Sequence, residues 1–143
     1  MRRASIVALL ALVACVAPAR SFGSFQGKAA ATAKDMLSAV ETASLTVQMA
    51  VRRRTFAPFV STVLGEAERD GDAIAGAFSS VQPPDAGSDK IRAQLDQILQ
   101  MATSTLSDLR IAARRTNLKQ LTDAAKPLPA ISKQLHQFIE ANQ

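Results

Sequence analysis

The chain has neither tryptophan nor tyrosine, and only one cysteine (Cys15) and one histidine (His136). Each shortage excludes a class of chemistry. One cysteine cannot close a disulfide within a monomer, so a folded domain here must rest on an apolar core. A zinc site asks for three or four Cys, His or carboxylate ligands at short spacing, and the sequence holds no such cluster. Single-stranded nucleic acid is held by stacking bases on aromatic faces, and six phenylalanines are the whole aromatic inventory. Charge argues the same way. Lys and Arg number 17 against 12 Asp and Glu. Without Arg2 and Arg3, which belong to a leader, 15 cations face the 12 carboxylates, a balance of about +3 and no nucleic-acid stripe. Glycine-rich phosphate loops are missing, and His136 is the sole neutral-pH base with no nucleophile paired to it, which argues against an enzyme. What is plentiful is apolar residues, 48% of the chain, enough for one domain with a real core.

The N-terminus reads as an export signal. Met1-Arg2-Arg3 is a short basic stretch, and Ala4 to Val13 is apolar apart from Ser5. That run falls short of the ~20 residues a membrane span needs, so it reads as a cleavable leader over residues 1–19. Two cleavage readings stand. Leu12-Val13-Ala14-Cys15 resembles a bacterial lipobox, which implies that Cys15 is acylated and becomes the mature N-terminus. Ala17-Pro18-Ala19 is a small-x-small site for ordinary signal peptidase, with the cut before Arg20. The one cysteine of the chain sits where lipidation would need it, which favours the first.

Residues 20–27, with Gly23 and Gly27, read as a tether. Helical periodicity fills the rest, residues 28–143. Ala33, Leu37, Val40, Ser44, Val47 and Val51 recur at steps of four and three, widened by Met36, Ala43 and Ala50. A second stripe runs Phe56, Val60, Val63 or Leu64, Ala67, Ile74, Phe78 and Val81, with Thr55 as N-cap, Pro58 in the first turn, and Gly71 marking a kink or close packing. Gln82-Pro83-Pro84-Asp85-Ala86-Gly87 breaks the pattern. Ser88 or Asp89 then caps a third helix with Ile91, Leu95, Ile98, Ala102, Thr105 or Leu106, Leu109 and Ala113. The fourth starts at Thr116 or Asn117. Leu118, Leu121, Ala125, Leu128, Ile131, Leu135 and Phe138 hold phase across it, and Pro127 and Pro129 kink or break it. No strand-like alternation occurs. The expectation is an all-α protein, an up-down-up-down four-helix bundle behind a signal.

That topology gathers cations. Arg52, Arg53 and Arg54 end the first helix, Arg110, Arg114 and Arg115 the third, and Lys119 opens the fourth. Helix-dipole compensation accounts for two or three of these. The remainder suggest a pole that binds an anion or a partner. A second candidate site pairs Met36 with His136. A Met on the first helix and a His on the fourth resembles the b-type bundle cytochromes, and the resemblance implies haem b held between these two residues.

Three segments carry a wider resemblance: Thr62-Val63-Leu64-Gly65-Glu66-Ala67, Val81-Gln82-Pro83-Pro84, and Leu106-Ser107-Asp108-Leu109-Arg110-Ile111-Ala112-Ala113-Arg114-Arg115. With the helix order they resemble small exported helical proteins and lipoproteins of actinobacteria, a group with no assigned activity. The expected function is therefore non-enzymatic. The chain would sit on the outer face of the cell membrane as a lipoprotein, or be secreted or periplasmic. Its partners would be the membrane through Cys15, and an envelope protein or anionic polymer. The alternative is a haem or small-ligand carrier.

Overall fold

Residues 19–143 are described by the computed structural model, and they are helical with no strand among them. Residues 1–18 of the leader, including Cys15 and Ala17-Pro18, lie outside the described residues, whereas Ala19 is described and buried against the core. Helix α1 spans Phe22–Val51, α2 Ala57–Ser79 and α3 Ala86–Arg114. A fourth helical stretch comes in two segments, α4 (Leu118–Ala124) and α5 (Leu128–Ala141).

The starts of the helices correct the sequence reading in three places. The expected tether is helix from Phe22 onward, because Ser21 caps α1 by accepting from the Ser24 N–H. Phe25, fully buried, then packs against Phe78 with ring centroids 5.8 Å apart. Two glycines do not make a linker when a cap precedes them and a core phenylalanine lies between them. Thr55 does not cap α2. Phe56 holds that position in extended backbone, without any side-chain cap bond, and Pro58 sits in the first turn. Neither Ser88 nor Asp89 caps α3. Asp85 does, its Oδ1 accepting from the Ser88 N–H at 2.8 Å. Of the two expected starts of the fourth helix, Asn117 is the one that caps α4, accepting from the Gln120 N–H at 3.0 Å.

The prolines explain the division of α4 from α5. Pro127 has no N–H, so the bond from residue 127 to the Asp123 carbonyl cannot form. Lys126 donates to Asp123 instead at 3.3 Å, and Leu128 donates to Ala125 at 3.1 Å. Both are tighter, three-residue bonds, and they end one segment and start the next. The Lys126 Nζ, 2.6 Å from Asp123 Oδ1, spans the same turn; its hydrogen bond and its charge hold the exposed Asp123 carboxyl below the usual range. The apolar phase survives: Leu121, Leu128, Ile131, Leu135 and Phe138 are all buried.

Helix α1 packs against α2, α3, α4 and α5; α3 touches the same set, and α2 meets α1 and α3. The core therefore lies along α1 and α3. It is built from Phe25, Met36, Val40, Leu64, Phe78, Leu95, Leu106, Leu109, Leu128 and Leu135, all at 2% exposure or less. Each large side chain contributes roughly 1.5–3 kcal/mol by leaving water. Gly71 is the tightest contact. A Cβ there would stand 2.8 Å from Leu106 Cδ1 and 3.8 Å from the Met36 sulfur, so close packing, the second of the two expectations for Gly71, is what this glycine serves. Arg92 closes the end of α2. Its guanidinium donates to the carbonyls of Val81 (2.8 Å) and Ser79 (2.5 Å) and lies 6.0 Å from the Phe78 ring centroid. Ser132 donates to Glu41 at 2.5 Å, tying α5 to α1. Among the described residues no helix is long and apolar enough to cross a membrane.

Gly71→Ala is expected to lower stability by about 1–3 kcal/mol, because Leu106 has no exposed surface to move into. Gly76→Ala, on an exposed turn with nothing within 4 Å, is expected to raise it by about 0.5–1 kcal/mol. Urea unfolding followed by circular dichroism reads both, and equal signs would refute the packing argument.

Candidate functional site

Helices α1 and α3 leave their last turns in the same way. Arg53 follows the α1 C-cap with φ 53°, and Thr116 follows the α3 C-cap with φ 50°. Both lie in the left-handed region that glycine usually fills, and a β-branched threonine there is strained. The turns are closed by Arg53 N–H to Ala50 O and Thr116 N–H to Ala113 O, each 3.0 Å, and by Arg54 N–H to Met49 O at 2.9 Å.

These two exits share one end of the molecule. A cleft of about 180 Å³ is lined by Ala50 from α1, Thr55, Ala57 and Val60 around the start of α2, Ala112, Ala113 and Thr116 from the end of α3, and Asn117, Leu118 and Leu121 of α4. Arg52–Arg54 lie in the chain between the lining residues Ala50 and Thr55, and Arg114–Arg115 lie between the lining residues Ala113 and Thr116. The sequence stretches that build this end contain no carboxylate: none stands between Glu41 and Glu66, and none between Asp108 and Asp123.

The six arginines expected at the pole do not share one state. Arg52, Arg53, Arg54, Arg114 and Arg115 are exposed. Arg110 is half-buried with Nε 2.5 Å from Glu68 Oε2, close enough for strong attraction although the N–H is not aligned for a hydrogen bond. It clamps α3 to α2 and is committed to that carboxylate. The others make no ion pair among the described residues. Dipole compensation accounts for part of them: Arg52 is the C-cap of α1, Arg115 the C-cap of α3, and Arg114 lies in the last turn of α3, which leaves Arg53 and Arg54 beyond the helix end.

The apolar stripes are corrected at this same end. Val51, Phe56 and Leu118 are periodic with the core, yet they are 45%, 67% and 42% exposed. The interior stops short of them. Phe59 (41%) and Ile111 (37%) add to the group, and the Phe56 and Phe59 rings sit 6.1 Å apart. On the flank of α1, Leu45, Gln48, Met49, Arg52 and Arg54 line a shallow depression. Phe59 and Ile111 lie off the periodic stripes, Phe59 one position before Val60 and Ile111 midway between Leu109 and Ala113. The absence of carboxylates from two long windows was the available signal.

The haem pairing does not fit this arrangement. Met36 has no exposed surface and packs in the seam of α1, α2 and α3. His136 is exposed on α5, facing solvent beside buried Leu135. Two axial ligands must face one cavity, and these face opposite ways. A groove of about 380 Å³ between α1 and α2 carries Asp35, Glu66 and Asp70 along its lining. Among the described residues no group of three or more His, Cys, Asp or Glu could hold a metal ion.

Thr116→Gly is expected to stabilise the protein by about 1 kcal/mol, because glycine takes the left-handed turn without a Cβ clash. A rise in the urea midpoint with an unchanged slope would show it; a fall would mean that the threonine's own bond to the Arg115 carbonyl (2.8 Å) matters more. Compared with protein-family models, curated proteins and solved structures, the chain matches none.

Proposed function

We propose that this is an exported, non-enzymatic envelope protein that binds an anionic partner through the pole at the ends of α1 and α3. The observation that carries the reading is the carboxylate-free end bearing five exposed, uncommitted arginines on a chain of modest net charge. Such a surface attracts phosphate-bearing or acidic groups and repels none of them. Export is supported by the basic and apolar leader, by the Cys15 lipobox and by the Ala19 alternative, and by the resemblance to exported actinobacterial proteins. In the lipoprotein form an acyl chain on Cys15 holds the protein at the outer face of the membrane. In the other form the chain begins at Arg20 and is free.

The architecture we propose is an up-down-up-down four-helix bundle, with α4 and α5 as one helix kinked at Pro127. Three contacts support it. The shared cleft brings the ends of α1 and α3 together with the starts of α2 and α4. The Phe22 ring lies 3.0 Å from a Gly87 Cβ position, so α1 and α3 also start together. A groove lined by Gln94, Gln97, Gln137 and Asn142 sets the end of α5 beside the early turns of α3.

Export is checked by intact mass of the purified protein: an acylated chain beginning at Cys15, or an unmodified one beginning at Arg20, is expected, and an uncut Met1 would overturn it. The pole is checked by salt elution from an immobilised polyphosphate matrix. Replacing Arg52, Arg53, Arg54, Arg114 and Arg115 by Gln should move elution to much lower salt. Replacing five other exposed cations (Arg20, Lys34, Arg69, Lys90 and Lys133) should move it far less. Equal shifts would mean net charge alone is read and no binding pole exists.

A further inference from the structure

We propose that the pole docks on an anionic lipid bilayer, with its guanidinium groups level with the phosphates and the rings of Phe56 and Phe59 between the head groups. This rests on the anion-facing reading above and names the partner. The argument starts from the apolar groups that reading leaves unused. Val51, Phe56, Phe59 and Leu118 stand between 41% and 67% exposed, at the same end as the arginines. A free polyanion would occupy the arginines and leave these side chains in water. A bilayer interface satisfies both: it offers phosphate to the cations and the acyl boundary to the apolar groups.

The form of the patch favours a membrane over a protein. Its apolar members come from the ends of three different helices, and Arg52–Arg54 stand between Val51 and Phe56 in the chain. A protein partner would need a matched pocket for each of them. Lipids move in the plane and accommodate each group separately. Phe56 is well placed to enter first. It precedes α2 in extended backbone, is the most exposed large apolar side chain among the described residues, and its ring is tilted against that of Phe59 in the first turn. No carboxylate from either sequence window opposes approach to a negative surface. Docking of this kind is peripheral, since no described helix can span a bilayer.

The lack of tryptophan and tyrosine makes the test clean. The full chain carrying Phe56→Trp is mixed with vesicles of phosphatidylglycerol and phosphatidylcholine, and separately with phosphatidylcholine alone. A blue shift of emission and quenching by brominated acyl chains are expected with the anionic vesicles only. Residue 56 reports its own end of the molecule, so an acyl chain on Cys15 cannot mimic the signal. Phe59→Trp serves as a second probe. Adding Arg52→Gln, Arg53→Gln and Arg54→Gln should weaken anionic binding by about 100-fold, with helical circular dichroism unchanged. No shift, an equal shift on neutral vesicles, or sedimentation with the vesicles without a shift would each overturn insertion. A response to polyglutamate as strong as that to vesicles would reassign the pole to an acidic protein. Retention on polyphosphate with silent vesicles overturns the lipid proposal and leaves the anion-facing pole standing, whereas losing both removes both.

Discussion

The close approach of three helices at Gly71 is the constraint on which the rest of the interior depends. Met36 from α1 and Leu106 from α3 meet over a position with no side chain, so α2 can lie against both. Helix α1 makes the same allowance along its length. Ala29, Ala33, Ala39 and Ala43 are buried, and they let its neighbours come near while Phe25, Met36, Val40 and Val47 fill what remains. Interiors of this kind have little slack, since every added methyl group must displace another. Tight seams in the middle leave the ends to be closed by other means. Near Phe22 and Gly87 that closure is made by Arg92, which satisfies two carbonyls and shields Phe78. At the arginine-rich end no comparable plug exists among the described residues, and apolar side chains remain in water.

Periodicity read the faces of the helices well. Every member of the α3 stripe from Ile91 to Ala113 is buried, and so are Leu121, Leu128, Ile131, Leu135 and Phe138 through the proline turn. Periodicity is blind along the helix axis. It assigns a side chain to a face but does not say where the neighbouring helix stops, which is why Val51, Phe56 and Leu118 were expected inside. The start of α1 failed for a different reason. Gly23 and Gly27 resemble a linker in composition, but both lie in α1 with nothing within 4 Å of a Cβ position, and neither needs glycine's conformational freedom. Of the site, the arginine cluster was legible. The commitment of Arg110 to Glu68 was not, because it joins two helices that only the fold brings together.

Under the proposed export, the two cleavage sites would give the pole different work. Helix α1 has 30 residues, a rise of ~45 Å. With an acyl anchor ahead of α1, the proposed pole would lie at the far end of that length and would meet a second surface rather than the membrane holding the protein. A chain beginning at Arg20 would have no such restriction, and the proposed pole would be free to meet any anionic surface. The same side chains would thus serve as a bridge in one case and as a membrane-targeting device in the other.

The contacts of Phe22 with Gly87, and of Asn142 with the groove beside Gln94, place the beginning of α1 and the end of α5 near one another, both beside the early turns of α3. Attachment at the beginning of α1 or at the end of α5 would therefore orient the molecule the same way, arginines outward. A layer of such molecules would present a uniform cationic face.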